Sequence, residues 1–189
     1  VVSARGGKDG LDDILGGHPQ EKRQRISAAL KAQLSQTETL ITSMLGFVRG
    51  GSLLCLEPAN VKSIVAEAVS SCEGALEVSA AQLSTNKINP SLTVLAAPAE
   101  LASVIANMIH NAIQVCEYSP EIEVWAGAVN QHMMLIRVSD NGPGISDDII
   151  DQVFDPFFTT RAAGTGLGLA VLASVVQRHG GTVHAANRE

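Results

Sequence analysis

Four short sequence blocks in the second half of the chain contain the residue types that a nucleotide site requires. Asn107 and Asn111 stand in the first block, Asp140 opens the second, and phenylalanines crowd the third. The fourth block is rich in glycine and runs from Gly164 to Leu169. An amide oxygen is a hard, uncharged ligand for Mg²⁺, and glycines at a helix start expose backbone N–H groups to phosphate. Together the blocks predict a pocket for a magnesium nucleotide.

Each block has an ordinary structural explanation when it is taken alone. Asn107 and Asn111 lie one turn apart on an expected helix, and both could simply cap neighbouring loops. The sequence that begins at Asp140 is a common turn, and Arg161 could be a solvated charge rather than a phosphate ligand. The glycine block lacks the Gly-Lys-Ser/Thr ending of a phosphate loop, and it does not directly follow a strand as a dinucleotide fingerprint does. Only the combination of blocks favours the nucleotide pocket.

The second and third blocks indicate which nucleotide would bind. Asp140 falls where an expected strand ends, and a Gly-Pro-Gly turn follows it. A carboxylate there accepts a hydrogen bond from the exocyclic amine of adenine, and guanine does not offer that donor at the same edge. The segment between the two glycine-containing blocks is otherwise polar, so its phenylalanines suit the base of a mobile lid. The expected ligand is therefore ATP bound with Mg²⁺.

Hydrophobic periodicity and capping signals predict the elements that position these blocks. Asn60 is expected to cap a helix that ends near Cys72, and Pro98 opens a second helix that ends near Cys116. A last helix is expected at 167–179, closed by two glycines. Strands are expected at 52–56, 76–80, 92–95, 121–129, 132–139 and 182–186, with a hairpin turn at Asn130-Gln131. This mixture predicts an α+β fold, a two-layer α/β sandwich in which helices cover one face of a mixed sheet.

The first quarter of the chain is expected to lie outside this sandwich. Residues 1–19 are rich in glycine and predict a loose arm. Residues 20–51 are interpreted as part of a dimerisation helix region, and residues 52–189 as the ATP-binding domain. Apolar residues in the helix at 20–49 alternate in steps of four and three, as in a heptad seam. This helix either packs on its own domain or, as favoured here, pairs with a second copy to form a homodimer.

Composition argues against several other classes of protein. The 189 residues are 46% apolar, and the net charge of −6 with scattered basic residues makes nucleic acid an unexpected partner. No apolar run approaches the roughly 20 residues that cross a bilayer, and no signal-peptide pattern opens the chain. The 3 cysteines lie far apart in apolar stretches, which favours free thiols in a reducing compartment, the cytoplasm. A first residue other than Met suggests a fragment.

In order and spacing the blocks resemble the N, G1, F and G2 boxes of sensor histidine kinases, which belong to the ATPase superfamily that includes gyrase, Hsp90 and MutL. The resemblance covers about residues 50–189 and implies that Asn111 holds Mg²⁺, that Asn107 supports the phosphate side and that Asp140 reads adenine. The residues assigned to the nucleotide are Asn107, Asn111, Asp140, Gly142, Gly144, Phe154, Thr160, Arg161, Gly164, Thr165, Gly166, Leu167 and Gly168, with Asn111 as the metal ligand.

Two further segments resemble particular kinase types. The short lid at 157–161, followed closely by Gly164, is similar to that of the nitrogen-regulation kinases. Residues 40–51 look like the end of the second dimerisation helix of flagellar sensor kinases. The first dimerisation helix is missing or shortened, so the dimerisation module is expected to be incomplete.

The resemblance implies a reaction in which the γ-phosphoryl group of Mg-ATP passes to a histidine on a dimerisation helix, and then to an aspartate of a response-regulator receiver domain. No histidine of this chain fits the acceptor pattern, since His18 directly precedes Pro19 in the arm, so self-phosphorylation is not expected. Asn107 stands where hydrolysing relatives carry a glutamate base, which favours transfer over hydrolysis. No catalytic residue is assigned. The alternatives are a superfamily ATPase clamp and a non-catalytic nucleotide-binding dimerisation module.

Overall fold

The computed structural model describes Ser27 and residues 54–116, 118–161 and 164–188. The helices in this part of the chain are α1 (Val61–Ser79), α2 (Pro98–Val115) and α3 (Gly168–Arg178), with a short 3-10 turn at Ile150–Gln152. The strands are β1 (Glu57–Asn60), β2 (Gln82–Ser84), β3 (Thr93–Ala96), β4 (Glu121–Ala128) and β5 (Met134–Ser139). The predicted arm and dimerisation helix region lie outside the described residues, apart from Ser27.

Helix α1 begins at the predicted cap. The Asn60 Oδ1 accepts a hydrogen bond from the backbone N–H of Ser63 at 3.1 Å, which satisfies one of the unpaired N–H groups of the first turn. The Asn60 Nδ2 also donates to the backbone oxygen of Pro90 at 2.7 Å. The cap therefore fixes the start of the helix and ties it to the chain segment before β3.

The end of α1 was predicted wrongly. The helix continues to Ser79 and includes most of the segment that the sequence assigned to a strand at 76–80. Leu76 packs against the core, and the Ser79 hydroxyl donates to the backbone oxygen of Ala75 at 2.8 Å. Ala80 then ends the helix in the left-handed conformation with φ of 53°. Packing of the helix outweighs the strand preference of the local sequence.

Two sheets complete the described part. Strand β4 lies between β2, which is parallel to it, and β5, which is antiparallel, while β1 and β3 form a separate antiparallel pair. The mixed sheet and the β4–β5 hairpin are thus confirmed. Two further strand predictions need correction, and β2 was missed. Of the strand predicted at 52–56, the described residues 54–56 form no strand, and the first described strand is Glu57–Asn60. Residues 182–186 also contain no strand.

The core lies between the helices and one face of the three-stranded sheet. Along β4, Ile122, Val124 and Ala126 are 2%, 0% and 2% exposed, and they meet the buried residues of all three helices. Ile105 and Ile109 of α2 are among the most buried, at 1% and 0% exposed. Each of these buried isoleucine side chains contributes roughly 1.5 to 3 kcal/mol to the stability of the fold through its removal from water. Helices on one face of a mixed sheet confirm the predicted α+β fold.

Among the described residues, no helix is long and apolar enough to span a bilayer.

Candidate functional site

A hydrogen bond between two helices joins the first sequence block to the fourth. Asn107 lies on α2, and its Nδ2 donates to the backbone oxygen of Gly168, the first residue of α3, at 2.9 Å. A Cβ at Gly168 would lie 2.9 Å from the same Nδ2, so a larger residue would displace the Asn107 amide from this hydrogen bond. No side chain caps the start of α3. Its first N–H groups and the helix dipole therefore remain available to an anion.

Asn111, one turn further along α2, contacts the segment that follows the phenylalanines. Its Oδ1 accepts a hydrogen bond from the Arg161 Nη2 at 3.2 Å, and the Arg161 Nη1 donates to the Oε1 of Gln114. The amide oxygen expected to bind Mg²⁺ thus already faces a positive charge. Gln114 was not predicted as part of the site, although it lies three residues after Asn111 and so shares its helix face.

The residues around Asn111 offer too few ligands to bind Mg²⁺ alone, so they suit a metal whose other ligands come from a nucleotide. The described residues contain no cluster of three or more histidine, cysteine or carboxylate side chains that could hold a metal. A neutral amide oxygen such as the Asn111 Oδ1 fits Mg²⁺, which in nucleotide sites usually keeps phosphate oxygens and several waters in its shell. The residues present therefore fit a metal that arrives with its nucleotide.

Asp140 directly follows β5 and is held by its own loop. Its Oδ1 accepts a hydrogen bond from the backbone N–H of Gly142 at 2.9 Å, and the Cys116 Sγ lies 4.0 Å from the same oxygen. A Cβ at Gly142 would lie 2.8 Å from that oxygen, which explains glycine there. From the described residues, no hydrogen bond reaches the Oδ2. One carboxylate oxygen is therefore oriented by the protein and the other is free to accept from a ligand.

Cys116 lies at the end of α2 beneath this carboxylate. Burial raises the pKa of its thiol above the ordinary value, and the negative charge of Asp140 raises it further, while a hydrogen bond from the Asn141 backbone opposes the shift. The thiol therefore stays protonated near neutral pH and can direct its S–H toward Asp140. Among the cysteines, Cys72 is also buried and Cys55 is exposed, and all three are free.

The loop that carries Asp140 is tied to the last described segment. The Asn187 side chain forms hydrogen bonds of 2.7 Å with both the backbone N–H and the backbone oxygen of Ile145. Arg188 donates from Nη1 to the backbone oxygen of Asp140 at 3.1 Å. Gly144 lies between, with φ of +79°. Asn187 and Arg188 were not predicted, because no local sequence pattern connects them with a loop more than 40 residues earlier.

The third and fourth blocks meet at a pair of left-handed residues. Phe157 has φ of 68° and donates its backbone N–H to the oxygen of Gly166 at 2.9 Å, while Gly166 has φ of +65°. A Cβ at Gly166 would contact the backbone of both Phe157 and Phe158. Phe154 packs against the core, whereas the Phe157 side chain is 68% exposed. Only part of the aromatic segment is therefore an anchor.

The remaining predicted residues border this cluster. Thr165 accepts a long hydrogen bond of 3.5 Å from the backbone N–H of Leu167, and Gly164 lies against the Thr159 side chain. Thr160 is exposed beside Arg161. Two concavities of about 220 and 350 Å³ lie beside α1 and along β2 and β4, and neither is lined by a predicted site residue. The predicted residues are half-buried or exposed, and the surface that they form between α2 and the start of α3 is called the groove below.

A histidine joins the two helices that carry the groove. The His179 Nε2 accepts a hydrogen bond from the backbone N–H of Ala97 at 3.0 Å, and its Nδ1 lies 2.8 Å from the backbone oxygen of Val175. This arrangement requires the tautomer with hydrogen on Nδ1. Beside it, Arg178 and Glu100 form an ion pair at 2.5 Å. These contacts fix the end of α3 to the start of α2, and they help to keep Asn107 within hydrogen-bond distance of Gly168.

Comparisons with known proteins identify relatives of the chain. The family described as histidine kinase-, DNA gyrase B- and HSP90-like ATPase matches residues 96–189. The chain is 43% identical over 96 residues to the sensor histidine kinase ZraS of Escherichia coli (strain K12), covering 51% of this chain and 20% of ZraS. It is 27% identical over 160 residues to sporulation kinase E of Bacillus subtilis (strain 168), covering 85% of this chain and 22% of that kinase. The chain thus spans about a fifth of the length of these relatives.

A solved structure shows the same fold. The nucleotide-free catalytic domain of the histidine kinase ThkA superposes with a TM-score of 0.63 and 26% identity, over 71% of this chain and 88% of that domain.

Proposed function

Because residues 96–189 belong to the histidine kinase-, DNA gyrase B- and HSP90-like ATPase family, with histidine kinases as relatives, we propose that the chain binds Mg-ATP for phosphoryl transfer to a histidine. The acceptor would be a histidine on a dimerisation helix, and the phosphoryl group would pass on to an aspartate of a response-regulator receiver domain. The observation that carries this proposal is the hydrogen bond from Asn107 to Gly168, because it places the amide-bearing helix beside an uncapped helix start.

Each side of the groove has a separate task in this proposal. Asn111 would hold Mg²⁺ through its Oδ1, where the ion would supply neutralisation of the phosphate charge. The N–H groups at the start of α3 bind phosphate oxygens, and Arg161 exchanges its contact with Asn111 for a phosphate. Asp140 accepts from the adenine amine through the Oδ2. Phosphoryl transfer asks the protein mainly for such positioning and charge stabilisation.

Asn107 separates this proposal from an ATPase that hydrolyses its nucleotide. Its Nδ2 donates to the backbone of Gly168, and an amide cannot take a proton from an attacking water. We therefore expect the chain to bind ATP with little hydrolysis and without labelling itself. Steady release of phosphate from ATP would instead favour the clamp ATPase.

Thermal unfolding with and without Mg-ATP tests the binding step. A ligand present at about 100 times its Kd stabilises the folded state by roughly 2.7 kcal/mol, which raises the Tm of a domain of this size by roughly 5 to 15 °C. Asn111→Ala and Asp140→Asn are expected to reduce that increase, and the Asn111 variant is expected to lose its dependence on Mg²⁺. An unaltered protein that folds but shows no shift with millimolar Mg-ATP would refute the proposal.

The domain organisation is part of the same proposal. Residues 52–189 form the catalytic domain, 20–51 contribute part of the dimerisation helices, and 1–19 form an arm. Light scattering of the whole chain should then show a homodimer, and Ile41→Glu on the apolar seam should yield a monomer that still binds Mg-ATP. A monomeric unaltered chain would contradict the dimer while leaving the nucleotide site standing. The free thiols support a reducing compartment, the cytoplasm, as its location.

A further inference from the structure

Asn187 and Arg188 hold both ends of the loop that carries the carboxylate expected to read the base. Asn187 pairs with the two backbone polar groups of Ile145, and Arg188 donates to the backbone oxygen of Asp140. We propose that these two side chains, the Asn187–Arg188 clamp, position Asp140 for adenine and so determine how well the site distinguishes adenine from other bases. This inference rests on the proposed ATP binding and adds specificity residues to it.

The chemistry of the Asn187 side chain suits this role. Its amide has one acceptor and two donor hydrogens, so it pairs with a backbone N–H and a backbone oxygen at once, as a neighbouring strand would. Both distances to Ile145 are 2.7 Å, near the short end of the normal range. The clamp therefore ties the loop to the last described segment, in which residues 182–186 form no strand.

The glycine of the loop is matched to the same side chain. Gly144 has φ of +79°, and a Cβ there would lie 2.8 Å from the Asn187 Oδ1. The loop can therefore approach Asn187 closely only without a side chain at this position. The hydrogen bonds of Asn187 thus require glycine at position 144. They hold the loop in place even though Asn141, Pro143 and Gly144 are exposed.

The path of the loop controls the orientation of the carboxylate. The Asp140 Oδ1 is held by the backbone N–H of Gly142, which lies inside the clamped segment. If the clamp is lost, Gly142 moves with the released loop and the Oδ2 is no longer fixed in the direction of the base amine. Sites that lose preorganisation lose affinity because a ligand must then order the loop itself.

Calorimetry on the whole chain tests this with Asn187→Ala and Asn187→Asp. The aspartate variant keeps the acceptor for the Ile145 N–H but places a carboxylate against the Ile145 oxygen. Both variants are expected to bind Mg-ATP roughly tenfold more weakly, since the alanine variant loses both hydrogen bonds and the aspartate variant loses one and gains a repulsion between two oxygens. Mg-tripolyphosphate, which lacks a base, should bind as it does to the unaltered protein. Preference for ATP over inosine triphosphate, which carries a carbonyl oxygen in place of the amine, should fall severalfold.

Asn130→Ala is the matched control. The Asn130 Oδ1 also accepts two hydrogen bonds from loop backbone, from His132 at 2.8 Å and Met133 at 2.9 Å. It lies at the opposite end of β5 from Asp140, roughly 20 Å along the strand. This variant should keep both the affinity for ATP and the preference over inosine triphosphate.

Amide hydrogen exchange gives a readout that does not depend on a ligand. The Ile145 N–H should exchange faster in Asn187→Ala than in the unaltered protein, while the amides of α2 keep their protection. Unchanged exchange at Ile145, or an unchanged preference for ATP in variants that fold normally, would overturn the inference while the unaltered protein still binds ATP. Failure of the unaltered protein to bind ATP would refute the proposed function and this inference with it.

Discussion

Replacing Gly166 by alanine is expected to weaken Mg-ATP binding strongly while leaving the domain folded. Gly166 has φ of +65°, and the added Cβ would contact the backbone of Phe157 and Phe158 rather than a side chain that could turn away. The backbone must therefore move. The Gly166 backbone oxygen also accepts a hydrogen bond from the Phe157 N–H at 2.9 Å. The movement therefore breaks this link between the third and fourth sequence blocks.

The size of the effect follows from two contributions. A residue with a Cβ in the left-handed region costs roughly 1 to 2 kcal/mol. The lost hydrogen bond to Phe157 adds about 1 kcal/mol. A total of roughly 2 to 3 kcal/mol corresponds to roughly 30- to 150-fold weaker binding at 1.4 kcal/mol per factor of ten. The loss falls on binding rather than on unfolding, because the loop at Gly166 can rearrange while the helices stay packed.

Calorimetric titration with Mg-ATP and urea unfolding should be measured together on Gly166→Ala and on Gly74→Ala. Gly74 lies in α1, and a Cβ there meets nothing within 4 Å. Alanine at this helical position should raise the free energy of unfolding by about 0.5 to 1 kcal/mol and leave ATP affinity unchanged. Gly166→Ala that binds ATP within twofold of the unaltered protein would show that the left-handed loop plays no part in the site.

Three further predictions concern the surroundings of the groove. His179→Leu should lower the free energy of unfolding by roughly 1 to 3 kcal/mol in urea, because it leaves the backbone N–H of Ala97 without its acceptor at the helix junction. Arg178→Met removes only a partly exposed ion pair and should cost less than about 1 kcal/mol; a larger loss than for His179→Leu would contradict this ranking. Burial, and then the charge of Asp140, raise the pKa of the Cys116 thiol, so its thiolate forms only at higher pH. Iodoacetamide at pH 8 should therefore alkylate Cys116 more slowly than the exposed Cys55. Asp140→Asn removes the nearby charge and should shift the pH profile of Cys116 alkylation downward; an unmoved profile would argue against the charge effect.

The elements that the sequence predicted well are those whose signals are local. Pro98 marks the first turn of α2, and the buried face expected from its 3.6-residue period includes Ile105 and Ile109 in the structure. Asn60 caps α1 as expected from its position before an apolar run. The hairpin of β4 and β5 follows from two alternating runs with a short polar turn between them. Each signal lies within a few residues of its effect.

The errors arise where distant contacts decide the structure. Apolar residues at 76–80 fit a strand, but Leu76 packs on the core as part of a helix. Strand β2 has 3 residues, too few to show a period, and forms only because β4 pairs with it. The same holds for the groove. The four blocks identify Asn107 and Asp140, whereas no local pattern connects Arg161 with Gln114.

The left-handed backbone of Phe157 has a thermodynamic consequence. A phenylalanine with φ of 68° is strained by roughly 1 to 2 kcal/mol, and here its ring is also mostly exposed to water. A rearrangement that let this residue relax and bury its ring would recover part of that free energy. Such closure around a nucleotide would appear as a negative change in heat capacity, since apolar surface leaves water. A closure of this kind would draw part of its driving force from the strained phenylalanine.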